Sequence, residues 1–351
     1  MKILHTADIH LKGDKDERWE ALQKLIEIGK ENKVSSFVIC GDLFNKDYNA
    51  ENLRPQIREV FSNTGFKVLI IPGNHDKNSY KSGMYFGEDV FILGDLPFEC
   101  DDIRVIGMPF EPIQGEELLK KIQALKDILR PDKKNILLCH GELLDAFFSR
   151  WDFGEEGEAR YMPFKLSYFD GLDIDYVLAG HFHTRFDIRR LKNGGYFVYP
   201  GSPVSITKSE VKQRRVNIFQ AGEPPKEYLV DTFHFEEVIV ELDPFKDENP
   251  LEILEYRFDT LHPKARVILT LRGYVNSKRI RMSEAELVAQ AKEITKGKCI
   301  EEHYDFRDIS RILEAPLFKG FMSRVREANY TEERTAQLQN IAIRAMIQSE
   351  L

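Results

Sequence analysis

Five short clusters in this chain carry the residue types that hold metal ions. They are Asp8-Ile9-His10, Gly41-Asp42, Gly73-Asn74-His75-Asp76, His140-Gly141 and Gly180-His181-Phe182-His183. Five of the nine histidines fall in them. Imidazole nitrogen and carboxylate oxygen suit borderline divalent cations such as Mn, Fe, Zn or Ni. Donors two residues apart, as in Asp8/His10 and His181/His183, can converge from an irregular turn. The glycines at 41, 73, 141 and 180 let backbone approach closely. One aspartate can bridge two ions, and a two-ion site roughly 3.5–4 Å across clamps a phosphoryl group and activates water. The candidate donors are too many for one tetrahedral site and suit two ions.

Each cluster follows an apolar run. The runs are residues 2–7, 35–40, 67–72, 103–108, 135–140, 175–180, 196–201 and 215–220, rich in Val, Ile, Leu and aromatics and mostly closed by Gly, Pro or Asp. That is the pattern of buried strands. Trp19, Leu22, Ile26 and Gly29 recur at helical spacing between the first two runs, as do Leu118, Leu119, Ile122, Leu125 and Leu129 between the fourth and fifth. Alternation of strand and helix predicts an α/β layered fold. In such sheets ligands sit beyond the carboxyl ends of strands, where all five clusters fall.

The 351 residues are enough for two or three domains, and 42% hydrophobic content can fill their cores. A net charge of −8 excludes a histone-like basic coat but not a local basic groove. No apolar run is long enough to span a membrane, and His5, Asp8 and His10 interrupt the place where a signal peptide would be apolar. Cys40, Cys100, Cys139 and Cys299 form no CxxC pair and read as free thiols of a cytoplasmic protein. A Gly/Pro turn cluster near 222–236 ends the alternating region. Residues 236–308 read as a small α+β unit, with Ser283 capping a helix, and 309–351 as two amphipathic helices, the second capped by Thr331. The expected domains are therefore 1–235, 236–308 and 309–351.

The clusters DIH, GD, GNHD, H and GHFH resemble the five signature segments of the calcineurin-like metallophosphoesterases, over about residues 8–183. The resemblance implies a β-sandwich core flanked by helices and a dinuclear centre. It implies that Asp8, His10, Asp42 and His183 hold one ion. Asp42, Asn74, His140 and His181 would hold the other, with Asp42 shared. His75 would bind no metal; it would stabilise the transition state and protonate the leaving oxygen.

HTADIHL at 5–11, GDLF at 41–44 and YVLAGHFH to YPGSP at 176–203 further resemble the SbcD-type DNA repair nucleases, the meiotic-recombination-eleven family. That implies a phosphoesterase core, a capping domain, and a helical segment docking on the coiled coil of an SbcC-type ATPase. It also implies homodimerisation, with Mn2+ as the expected ion. One position departs: three residues after the shared aspartate the family carries His or Asp, and here stands Asn45, an amide able to hydrogen-bond His75 but not to supply charge. Candidate DNA contacts are Lys208, Lys212, Arg214 and Arg215, with Arg272, Lys278, Arg279 and Arg281; the plainer reading is a solvated charged face. Leu317, Phe318, Phe321 and Met322 are candidate partner contacts, or else pack on their own core. The activity implied is metal-dependent cleavage of DNA phosphodiesters. The alternatives are a phosphoesterase for small molecules or phosphoproteins, and a non-catalytic scaffold.

Overall fold

Along each central strand the side chains alternate between two separate apolar layers, as a period of two requires. In a computed structural model, which describes residues 1–46, 49–80, 83–145, 161–246 and 248–349, the chain forms two compact units, Met1–Phe235 and Glu236–Leu351. The first unit has strands β1 (Lys2–Thr6), β2 (Ser36–Cys40), β3 (Lys67–Ile71), β4 (Val90–Ile92), β5 (Phe98–Cys100), β6 (Ile103–Met108), β7 (Lys134–His140), β8 (Tyr176–Gly180), β9 (Asp187–Arg190), β10 (Tyr196–Tyr199), β11 (Arg215–Gln220) and β12 (Glu227–Leu229). Its helices are α1 (Glu17–Glu31), α2 (Arg54–Phe61) and α3 (Gly115–Ala124). All eight apolar runs are strands.

Two six-stranded sheets result, in the orders β12-β11-β1-β2-β3-β4 and β5-β6-β7-β8-β10-β9. Val38 and Cys40 of β2, Leu69 and Ile71 of β3, Ile136 and Leu138 of β7 and Leu178 of β8 meet in one layer between the sheets. The alternate residues Phe37, Ile39, Val68 and Ile70 pack outward with Trp19, Leu22 and Ile26 of α1 and Ile57 and Phe61 of α2. Leu137, Cys139, Val177 and Ala179 do the same with Leu118 and Ile122 of α3. This is a β-sandwich with helices on both outer faces.

Local sequence explains the helices. Asp16 caps α1 by accepting from the Arg18 and Trp19 amides, and Gly29 leaves room for the Phe66 ring. The leucine pattern that continues to Leu129 ends as helix at Ala124 and tightens into a 3-10 turn at Leu125–Asp127. The strands β1, β2 and β3 run parallel, as do β7 and β8, so each group presents its carboxyl ends on one edge.

Strand β13 (His234–Leu242) begins two residues before the second unit, which also contains α4 (Pro250–Asp259), β14 (Ala265–Val275), α5 (Ser277–Ile280), α6 (Glu284–Thr295), β15 (Cys299–Asp308), α7 (Ser310–Glu314), α8 (Pro316–Glu327) and α9 (Glu332–Ser349). The strands form one sheet in the order β13-β14-β15. Ser283 and Glu286 make a reciprocal capping box at α6. Residues 309–351 group with 236–308 in this unit.

Candidate metal centre

The loops after β1, β2, β3, β7 and β8 bring the five clusters together. Asp8, His10, Asp42 and His181 all have positive φ, at 56°, 53°, 53° and 95°. The left-handed conformation costs an ordinary residue about 1–2 kcal/mol. Asp and His carry it more readily than bulky residues, and such strain clusters at sites that need a special backbone. Hydrogen bonds hold it here: Asp8 N–H donates to Gly41 O (3.1 Å) and His10 N–H to Asp42 O (2.9 Å), lacing the first two loops. His75 N–H donates to Asp42 Oδ1 at 3.0 Å. The His181 amide donates to Asp8 at 2.9 Å, linking the two sheets. Gly41 has φ 88°, and a Cβ there would overlap the His140 ring, so this corner demands glycine.

The rings are oriented by what their far nitrogens touch. His140 Nδ1–H donates to the Cys40 carbonyl (2.8 Å), which turns Nε2 toward Asn74 Oδ1 (2.8 Å) and Asp42 Oδ2 (3.3 Å). His183 Nδ1–H donates to Glu210 (3.2 Å), which leaves Nε2 3.6 Å from Asp8 Oδ1. His10 Nε2 lies 3.8 Å from Asp42 Oδ2, and the His10 and His75 rings meet edge to face at 4.8 Å. His181 packs edge to face with His140 at 5.3 Å.

These residues fit a pair of divalent cations. Both ring nitrogens of His10 and the Oδ2 of Asp42 are buried without a hydrogen-bond partner. An unsatisfied buried polar atom costs about 1–3 kcal/mol, so such atoms call for an unrecorded partner. Three groups, Asp8/His10/His183, His10/Asp42/His75 and Asp8/Asp42/His140, each bring their donor atoms within 4.8 Å of one another.

Electrostatics agree. Burial alone would raise the Asp42 carboxyl, but the facing His140 ring and then His10 hold it far below the carboxylate range. Asp8 is likewise held down by His183 and His140 against burial. Burial disfavours a charged His140, yet Asp42 outweighs it and raises the ring to about 9. Burial also opposes charge on His183, and Asp8 and Glu210 raise it well above 6.5. Burial pushes His10 down to about 3 and, with the His140 charge, holds His181 far below 6.5. Three carboxylates thus favour protons on two imidazoles, and cations can take the place of the protons that face Asp42 and Asp8.

Several residues act differently from their sequence reading. The Asn45 amide donates to Lys46 O (3.0 Å), so its NH2 serves its own loop rather than His75. Arg214 is 3% exposed and is no DNA contact. Its guanidinium donates to the carbonyls of Ser202, Thr184, Glu210 and His183, because a buried cation must satisfy its donors internally. Lys208 and Lys212 are exposed, and Arg215 pairs with Glu227 at 2.9 Å. In the second unit Arg272, Lys278, Arg279 and Arg281 are exposed, with Arg272 paired to Glu241, Lys278 to Glu314 and Arg279 bonded to Pro244 O. Phe318 and Met322 are not docking residues on a free face. They are buried with Ile312, Val325 and Ile343, since α7, α8 and α9 close a small core of their own. Phe321 packs at its edge, and Leu317 is 74% exposed.

Two residues escaped the sequence reading. Glu210 is fully buried against His183, though its local sequence is basic and reads as surface. Asp76 accepts from Gly73 N (2.7 Å), Phe44 N (3.3 Å) and Tyr80 OH (2.9 Å), which staples the second loop to the third. Burial, and then the Asp42 charge, push it up to about 7. Its signal was its place at the end of Gly73-Asn74-His75-Asp76.

Known proteins resemble the chain in sequence. It is 24% identical over 321 residues to the protein named as the SbcD component of the SbcCD nuclease in Staphylococcus saprophyticus, covering 81% of this chain and 79% of that one. It is 25% identical over 254 residues to the protein of the same name in Staphylococcus epidermidis, covering 61% of this chain and 64% of that one. A crystal structure of a Thermus thermophilus protein overlays with a TM-score of 0.42 at 15% identity, covering 65% of this chain and 98% of that one. The model of the calcineurin-like phosphoesterase family matches residues 1–185. With more than half of its length so matched, and with groups of candidate metal donors at its strand ends, the chain belongs to the calcineurin-like phosphoesterases, a family of dimetal-dependent hydrolases.

Proposed function

We propose that this protein is a two-metal phosphodiesterase that cleaves DNA. The observation that carries the reading is the convergence of Asp8, His10, Asp42, Asn74, His140, His181 and His183 around unsatisfied donor atoms, with the His75 ring 4.8 Å from His10. Asp8, His10, Asp42 and His183 would hold one ion, and Asp42, Asn74, His140 and His181 the other. When bound, the ions, Mn2+ by this proposal, would polarise the phosphoryl group and activate water.

The protein's own residues do the rest. Asp42 offers Oδ2 to both halves of the site while its Oδ1 accepts the His75 amide, so the shared carboxylate and the proposed acid are fixed relative to each other. His75 is only partly buried, and its ring can donate a proton to the departing oxygen. Fixing these groups beforehand contributes to rate by orientation.

DNA as the substrate is supported by the names of the two staphylococcal relatives and by the exposed cations Lys208, Lys212, Arg272, Lys278, Arg279 and Arg281. The same names support a partner of the SbcC type. The proposal includes a second copy of the chain in the assembly, and a division of the second unit into a capping part (236–308) and a partner-binding part (309–351). Among the described residues no helix is long and apolar enough to cross a membrane.

The test is digestion of single-stranded and hairpin-ended DNA by the purified chain with Mn2+, beside an EDTA control and His75→Ala. Cleavage that needs both metal and His75 is the expected result. Turnover of bis-p-nitrophenyl phosphate without DNA cleavage, with or without an ATPase partner, would replace DNA by another phosphodiester. Metal binding with neither activity would leave only a scaffold.

A further inference from the structure

Glu210 is a fully buried carboxylate. A buried charge persists only when paired and fully hydrogen-bonded. Here five donors satisfy it. Oε2 accepts from Ser202 Oγ (2.8 Å) and Ile206 N–H (2.9 Å). Oε1 accepts from Thr207 N–H (3.2 Å), Thr207 Oγ1 (3.0 Å) and His183 Nδ1–H (3.2 Å). Four of these donors come from one short stretch of loop, which fixes the carboxylate before the histidine is considered. Arg214 then fixes the peptides on either side, donating to His183 O, Thr184 O, Ser202 O and Glu210 O.

His183 and His140 are oriented by different partners. A neutral carbonyl, Cys40 O, takes the Nδ1–H of His140, whereas a carboxylate takes that of His183. A carboxylate on the far nitrogen fixes the tautomer, locks the ring and makes the near nitrogen a stronger donor. We infer that Glu210 is a positioning residue for one of the two ions, holding His183 with Nε2 toward Asp8. The inference rests on His183 being a metal ligand, as proposed above. It is selective: His140 and Asn74, on the other side of Asp42, have no bond to Glu210 among those described.

The test uses the full chain, stripped of metal and titrated with Mn2+ by calorimetry. Sub-saturating samples are read by electron paramagnetic resonance for the coupled-pair signal. The variants are Glu210→Ala, Glu210→Gln and, as reference, His183→Ala. Glu210→Ala is expected to weaken one binding step by about 10–100-fold, leave the other unchanged, and convert the coupled signal to that of isolated ions. Glu210→Gln, whose carbonyl oxygen still accepts Nδ1–H, is expected to recover most of the loss. A general loosening of the fold would instead weaken both steps.

Wild-type affinity at both steps in Glu210→Ala, with one step lost in His183→Ala, overturns the inference and leaves the metal reading standing. Both steps intact in His183→Ala, or no metal bound by the wild type, overturns the metal reading itself. If Glu210→Ala does not fold, the double variant Ser202→Ala/Thr207→Val keeps the carboxylate but frees it to move. It is expected to weaken the same step several-fold, and wild-type binding in it overturns the inference.

Discussion

The amide of His181 donates to the carboxylate of Asp8 at 2.9 Å, across 173 positions of sequence. It joins the loop after β8, in one sheet, to the loop after β1, in the other. The bond commits a backbone donor to the proposed ligand Asp8, so its oxygens are fixed by main chain rather than by a mobile side chain. Positions fixed in this way let single substitutions separate one role from another.

Chelation and substitution separate the roles of Asp42 and His75. EDTA or Asp42→Ala is expected to abolish hydrolysis of bis-p-nitrophenyl phosphate. His75→Ala is expected to lower kcat by about 10²–10⁴ while the chain still binds two ions. Metal content by plasma mass spectrometry beside steady-state kinetics checks this, and loss of both ions in His75→Ala would return His75 to the ligand set.

Gly180, at the end of β8, lies against Cys40 of β2 in the other sheet. A Cβ there would overlap Cys40 O and stand 2.7 Å from Ala7 Cβ and 2.8 Å from His140 Nδ1. Gly180→Ala is expected to cost about 1–3 kcal/mol and to reduce metal content, because the backbone must part to admit the methyl. Gly94→Ala, which meets nothing within 4 Å, is the control. Thermal melts of the two variants should differ by several degrees.

His5 is fully buried in β1, and burial holds its pKa down at about 3. The unfolded chain takes the proton near 6.5 and the folded chain only near 3. Between those values the unfolded state binds more protons, so stability falls as pH drops from about 6.5 toward 3. The loss at the acid end is on the order of 5 kcal/mol. His5→Gln cannot titrate, and its acid-unfolding midpoint, followed by circular dichroism, is expected at lower pH relative to its own neutral stability. An unchanged difference between neutral and acid stability would show that His5 does not contribute.

Arg214 and Lys212 are two residues apart and are expected to fail differently. Lys212→Ala should weaken DNA binding evenly across sequences and reduce the salt slope by about 1, with the melting temperature kept. Arg214→Ala removes a donor from four carbonyls, of which His183 O and Glu210 O keep another, breaks up the buried pairing with Glu210, and is expected to cost at least about 3 kcal/mol of stability. Filter binding at several salt concentrations, beside thermal melts, distinguishes them.

The central strands were legible because residues such as Val38, Leu69 and Leu178 belong to strands buried on both faces of the sheets, which leave continuous apolar runs. The short strands β4, β5, β9 and β12 were not, since three or four residues with polar members carry no period. The metal-ligand candidates were visible because histidines and aspartates at strand ends have few other uses. Glu210 and Arg214 were hidden: their burial depends on Ser202, Thr184 and His183, which are remote or unremarkable in sequence. Phe318 and Met322 had the right spacing, but an amphipathic stripe does not say whether its cover comes from its own chain or another. Here Ile343 of α9 shares the cluster that covers them.

The long reach from Asp8 to His181 has a consequence for synthesis. A ribosome that has released only β1 to β7 has made Asp8, His10, Asp42, Asn74 and His140 but neither His181 nor His183. The nascent chain at that stage holds a partial, acidic set of donors with no strand to close it. Contacts this distant form late, after most of the loop-closure entropy has been lost. On the proposed ligand set, capture of both ions waits for His181 and His183, and metal uptake during translation would mark the moment at which the sandwich closes.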